Sequence, residues 1–162
     1  MKKRQQGVAA VELALTLPLL LAVFFAITEF GRAIYTYNTL AKATRDATRY
    51  LSTQTAGNAN AWATARNLVV YGTPSQGSTP LVPGLTTGMV AICDASVNSC
   101  KASNKNQGSN PLINTVTVTV SGYGFTPVLD LLAFTRFYAG GTSTLTSITF
   151  GKISTTMRQS YE

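Results

Sequence analysis

Residues 7–27 read GVAAVELALTLPLLLAVFFAI and follow the basic triplet Lys2-Lys3-Arg4. From Val8 to Ile27 every side chain is apolar except Glu12 and Thr16. Twenty helical residues rise about 30 Å, the thickness of a hydrocarbon core. The stretch predicts a helix that crosses a membrane, and its acid is the anomaly. A carboxylate at the middle of such a helix costs roughly 2.5–3.5 kcal/mol, and less near an end. Glu12 lies one helical turn past Val8, which leaves two readings. The acid snorkels to the headgroups, or it pairs with a positive group on a neighbour or on its own terminus. A cleaved secretory signal competes for the same segment. The basic start fits, but the apolar run exceeds the usual length of about 7–15 residues and contains an acid. The nearest A-x-A triplet is Ala41-Lys42-Ala43, well past the apolar core.

A short basic stretch, Gly7, and an apolar helix with Glu as the fifth residue after the glycine resemble a prepilin-type leader. The longer pattern is Gly7-Val8-Ala9-Ala10-Val11-Glu12-Leu13-Ala14-Leu15, then Leu17-Pro18-Leu19-Leu20, then Glu29-Phe30-Gly31-Arg32. It resembles the TadE-like pseudopilins, or minor pilins, of tight-adherence (Flp-type) pilus assembly systems. That family commonly has an aromatic residue after the acid, where this chain has Leu13. A second stretch of likeness runs from Tyr123 and Phe125 through Pro127 to a Thr-rich segment ending near Met157-Arg158. The resemblance implies cleavage between Gly7 and Val8 by a prepilin peptidase. The α-amino group freed on Val8 would then pair with Glu12 of a neighbouring subunit. The implied partners are other pilins and pseudopilins and inner-membrane pilus assembly proteins. The implied location is the bacterial inner (cytoplasmic) membrane, single-pass, with the N-terminus cytoplasmic and the head outside, and with incorporation into an extracellular pilus a further expectation.

At 162 residues the chain has room for an anchor and one domain. The expected organisation is a basic leader over 1–7, a transmembrane and membrane-proximal helix over 8–53, and an extracytoplasmic α+β head over 54–162. Without residues 1–7 the charge balance is ten Lys and Arg against six Asp and Glu, spread without a basic stripe interleaved with aromatics. Nucleic-acid binding is therefore not expected. Lys and Arg flank both ends of the apolar run, so charge alone does not orient it. Cys93 and Cys100 bracket the turn-forming segment Asp94–Ser99. The spacing fits a small disulfide-closed loop in an oxidising compartment, with unpaired thiols as the alternative.

Beyond the membrane the apolar positions Phe30, Ala33/Ile34, Tyr37, Leu40/Ala41, Ala47 and Leu51 recur at helical spacing. They predict one long helix over 8–53, kinked at Pro18, with this stripe packed on its own head. Lys42 and Asp46 are spaced for an i,i+4 pair. Gly57 and Asn58 supply a turn and cap for a second helix over 59–70, with Trp62 in the core and Gly72 as the stop. Residues 72–88 read as loop. Strands are expected over 89–93, over 115–120 with Val116, Val118 and Val120 on one face, and over 142–156 with a bulge at Gly151. The Thr face of the second strand should meet water or another strand. Thr126 and Pro127 open an apolar stretch through Phe134 that is either a core-covering helix or an exposed patch. The expected fold is α+β, pilin-like: a long helix packed on a small antiparallel sheet.

No catalytic constellation is visible. The chain has no His, which removes the usual general base and the commonest metal ligand. Gly122-Tyr123-Gly124 lacks the spacing and Lys of a phosphate loop. The reading is a non-catalytic protein without cofactor or metal. The leading function is a pseudopilin of a type IV-like adhesive pilus. The alternative is a static bitopic membrane protein whose head binds an envelope partner.

Overall fold

The computed structural model describes residues 5–105, 113–128, 140 and 147–160. Unbroken apolar and helix-favouring sequence carries the first helix, α1, from Gln5 to Ser52, 48 residues. Pro18 lies inside it. Its missing N–H leaves the Ala14 carbonyl without a helical donor, and α1 runs on to Ser52 regardless. By its contacts the chain divides into two compact units, residues 1–34 with 126–148 and residues 35–125 with 149–162.

In the first unit the part of α1 from Val8 to Ile27 exposes twelve large apolar side chains, among them Leu13, Leu15, Leu20, Phe24 and Ile27. Burying each is worth roughly 1.5–3 kcal/mol, so together they would burden water by on the order of 20–30 kcal/mol. That exceeds the 5–15 kcal/mol of net stability typical of a domain. This surface belongs in lipid or against other helices. The helix is long and apolar enough to cross a membrane, and its apolar window is wholly unburied. Among the described residues it is the one helix of this kind, and it suits a single-pass membrane anchor. Its hydroxyls turn back on the backbone: Thr16 Oγ1 donates to the Glu12 carbonyl at 3.0 Å, and Thr28 Oγ1 to the Phe24 carbonyl at 3.0 Å. This hides their polarity from the lipid.

In the second unit α1 becomes amphipathic. Leu40, Ala43, Thr44, Ala47, Thr48 and Leu51 are buried at helical spacing. The helix α2 spans Ala59–Tyr71. The Asn58 side chain caps it, accepting from the Asn60 and Ala61 amides, and Gly72 ends it at φ 73°, its N–H returning to Leu68 O at 3.0 Å. A 3-10 turn at Thr87–Met89 leads into β1, Val90–Cys93. The short helix α3 spans Lys101–Asn104. Strands β2, Asn114–Val120, and β5, Ile153–Gln159, complete an antiparallel sheet ordered β1-β2-β5. Two-residue strands β3, Gly124–Phe125, and β4, Ile148–Thr149, form a separate ladder. The arrangement is α+β.

Register explains the core. Ile92 pairs with Val118, Val118 with Thr155, and Val120 with Ile153. Alternation therefore places Val90, Ile92, Val116, Val118, Val120 and Ile153 on one buried face. Thr48 Oγ1 donates to the Thr155 carbonyl at 3.4 Å and Ser160 N–H to the Ser52 carbonyl at 2.8 Å, which ties the end of α1 to β5. Phe150 leaves the sheet to pack against Tyr37, Tyr123 and Phe125, with ring centroids 5.6–6.1 Å apart. Tyr123 donates its hydroxyl to the Pro83 carbonyl at 3.0 Å.

Several expectations are corrected. The strand expected over 142–156 is two strands, separated at Phe150–Lys152 where Phe150 turns into the aromatic cluster, and the second runs on to Gln159. Residues 142–146 lie outside the described residues, as do 129–134 of the apolar stretch after Thr126. The helical stripe is buried only from Leu40 onward, with Phe30, Ile34 and Tyr37 exposed. Lys42 and Asp46 form no ion pair and instead line an open groove of about 550 Å³ with Tyr35, Asn38, Thr39, Leu68 and Leu81. The Thr face of β2 does meet a neighbouring strand, with Thr117 Oγ1 2.8 Å from Thr156 Oγ1 of β5, and it also carries a helix that was not expected. Asn104 of α3 lies on it, 2% exposed, donating from Nδ2 to Cys93 O, Thr115 O and Thr117 Oγ1 at 3.0–3.2 Å.

Leu51 lies at the helix–sheet seam and is 2% exposed. Leu51→Ala should destabilise the head by about 2–5 kcal/mol in urea unfolding, while Ser154→Ala on the exposed face stays within about 0.5 kcal/mol.

Candidate functional site

The described residues hold four acids, and the fold treats them in four ways. Asp46 is exposed on α1 of the head. Asp94, 1% exposed, follows β1 and accepts four hydrogen bonds. Its Oδ2 takes the Gly57 N–H at 2.9 Å and the Trp62 indole N–H at 3.0 Å, and its Oδ1 takes the Ser96 N–H at 2.9 Å and the Ser96 hydroxyl. Burial alone pushes this carboxyl up. The Ser96 hydroxyl, the Gly57 and Ser96 amides and the Trp62 indole outweigh it and hold the group below its ordinary value. Gly57 reaches this position at φ 80°, where an added Cβ would also press on Ser96 at 3.1 Å. Trp62, expected in the core, is half-buried, with its indole N–H committed to this clamp.

Glu29 is buried, 4% exposed, two residues past the apolar run. Arg32, one turn on, donates to both its oxygens at 2.9 and 2.8 Å. Both bonds come from Nη1, and the ion pair offsets the charge of the acid just past the apolar run. Glu12 differs from the other three. It is exposed on the apolar surface of α1, and its carboxylate has no hydrogen-bond or ion-pair partner among the described residues. Around it Gly7, Val8, Val11 and Leu15 shape a shallow open depression.

Gly7 and Val8 lie near the described start of α1, where the apolar run begins. A Cβ on Gly7 would meet nothing within 4 Å, and the same holds for Gly31. Glycine inside a helix costs roughly 0.5–1 kcal/mol relative to alanine. Packing therefore gives no reason for Gly7. Pro18 faces partly outward one and a half turns past Glu12. The Cys93–Cys100 disulfide expected from the spacing is present, with Cα atoms 5.8 Å apart. The structure thus places Gly7, Val8, Glu12 and Pro18 along one helix and the two cysteines in the head. Among the described residues no group of three or more His, Cys, Asp or Glu is placed to hold a metal.

Residues 7–49 match the family described as TadE-like protein. The chain carries a TadE-like domain. That domain lies wholly within α1, and it links the chain to tight-adherence pilus systems. No curated protein and no solved structure matches the chain. The TadE-like domain contains Gly7, Glu12, Pro18 and the Glu29–Arg32 pair. The Asp94 clamp and Asn104 lie outside it and were not anticipated from the sequence. Asp94-Ala95-Ser96 has the spacing of an Asx turn, which is the one local signal that marks Asp94.

The clamp predicts an acid-sensitive head. An unfolded aspartate titrates near pH 3.9, about the ordinary value, and the folded group titrates lower. The stabilisation is therefore complete above the unfolded value and is lost as pH falls through the folded one. Urea midpoints between pH 7 and pH 3 should fall more steeply for the native protein than for Asp94→Asn. The variant should be less stable at pH 7 by about 1–3 kcal/mol, since an amide nitrogen cannot accept from these donors.

Proposed function

We propose that this chain is a pseudopilin: a non-catalytic, membrane-held subunit that takes part in assembling a tight-adherence pilus. The observation that carries the reading is Glu12, a carboxylate on a lipid-facing helix with no donor among the described residues. The head's structural acid has four donors and the boundary acid has an arginine. An acid left without either is suited to a partner from outside the chain.

Cleavage after Gly7 by a prepilin peptidase supplies that partner. It creates an ammonium at Val8, on the end of a helix whose dipole is already positive there. Both the amine and the helix end then favour a nearby carboxylate. Glu12 of a neighbouring copy or of another pilin provides one, and two charges that are each costly in lipid become a single hydrogen-bonded pair. The open space at Gly7 suits access by the peptidase and fits a residue kept for recognition rather than packing. In this reading the basic start stays in the cytoplasm, α1 crosses the bacterial inner membrane, and the disulfide-bearing head lies outside it. The partners are other pilins and inner-membrane pilus assembly proteins.

The variants Glu12→Ala and Glu12→Gln test the reading. Membrane levels of the subunit should be unchanged or higher, because a charge has left the lipid. Pilus yield should fall about tenfold or more, since each 1.4 kcal/mol lost from a contact is a factor of ten. Full pilus yield in both variants would show that Glu12 only snorkels, and would remove the basis of the assembly contact.

A further inference from the structure

The disulfide joins two buried polar contacts that lie on opposite sides of the sheet. Cys93 is the last residue of β1, and the next residue is the clamped Asp94. Cys100 immediately precedes α3, whose last residue is the buried Asn104. Asp94 draws in Gly57, at the turn between α1 and α2, and Trp62 on α2. Asn104 grips the Cys93 carbonyl and the Thr face of β2. Strand pairing holds the chain as far as Cys93, and neither Asp94 nor Asn104 lies within it. Four residues are too few for α3 to hold a helix alone, and the four-donor geometry at Asp94 demands one path for residues 93–96. By contrast, β2 and β5 pair over seven residues, Asn114 to Val120, with Val116 and Val118 fully buried. Residues 93–104 are no part of that pairing and reach β2 only from its other edge and face, through the Cys93–Thr117 register pair and Asn104.

We propose that Cys93–Cys100 is a redox latch. Closed, it locks the α1–α2 junction and α3 onto the sheet. Reduced, it lets the Asp94 clamp and the Asn104 contact open while the β2–β5 ladder stays formed. Closure needs an oxidant of the disulfide class. One cysteine thiolate attacks a sulfur of the oxidant and expels a thiol. The second cysteine thiolate then attacks the mixed disulfide and expels the second thiol. The balance is two protein thiols and one disulfide giving one protein disulfide and two thiols. The head therefore reaches its locked form only after meeting such an oxidant, which makes oxidation a checkpoint between synthesis and use. That consequence rests on the head lying outside the cytoplasm, and the latch itself does not.

The chain contains a single Trp, and it is the one in the clamp. Full-length protein in detergent micelles, oxidised or reduced with dithiothreitol, gives a direct test. Cross-linking a loop this short biases the closed form on the order of tens-fold. On reduction, amide exchange at Gly57 and Ser96 should accelerate by about that factor, and Trp62 should become several-fold more open to acrylamide quenching. Exchange at Val116 and Val118 should change by less than about threefold, and oxidised glutathione should restore the starting state. The double variant Cys93→Ser/Cys100→Ser should behave like the reduced protein without reductant. Asp94→Asn with the disulfide intact should reproduce the Trp62 change alone. Unchanged Gly57 and Trp62 on reduction would overturn the latch. Equal acceleration at Gly57, Val116 and Val118 would also overturn it, reducing the bond to a global staple.

Discussion

A carboxylate taken out of water needs hydrogen-bond donors or a counter-charge, and this protein meets that demand differently at each end. In the head, Asp94 collects an indole, two amides and a hydroxyl from three separate pieces of chain. Those donors fix the α1–α2 turn and the end of β1 relative to one another. At the upper end of the anchor, Glu29 is answered within one turn by Arg32. At the lower end, Glu12 is given nothing by the described residues. Folding accounts for the first two acids. The third has no answering group among the described residues, and the proposed amine at Val8 of a neighbour is chemically suited to be one.

The same helix serves two solvents. Up to Ile27 it is apolar on all sides and its threonines bond back to their own backbone. From Leu40 it turns one face of Leu, Ala and Thr toward the valines of the sheet. Small and hydroxyl-bearing residues suit that seam. Thr48 satisfies itself on the Thr44 carbonyl at 2.6 Å and still reaches the Thr155 carbonyl of β5. The helix thus carries the TadE-like domain over residues 7–49 while its second half also forms part of the head's core.

Much of this was legible in the sequence. The length of α1, the Asn58 cap, the Gly72 stop and the valine face of β2 follow from local rules of periodicity and turn chemistry. The disulfide followed from spacing. The misreadings have a common cause, which is tertiary context. Phe150 looks like one more strand residue until the rings of Tyr37, Tyr123 and Phe125 draw it away. Trp62 looks like core until a carboxylate from 32 residues downstream takes its N–H. Asn104 looks like loop, and nothing local indicates that three acceptors of the sheet converge on it. For the candidate site the position was reversed. Gly7, Val8 and Glu12 were prominent in the sequence, and the described residues show no steric need for the glycine and no donor to the acid.

The central claim is that Gly7 is a cut site and that Val8 becomes the amine Glu12 requires. Intact-mass analysis of the protein extracted from its native membrane addresses it most directly. The account predicts a mature chain beginning at Val8, with a free or methylated amine and the Cys93–Cys100 bond retained. A chain that keeps residues 1–7 through to the assembled pilus would contradict it.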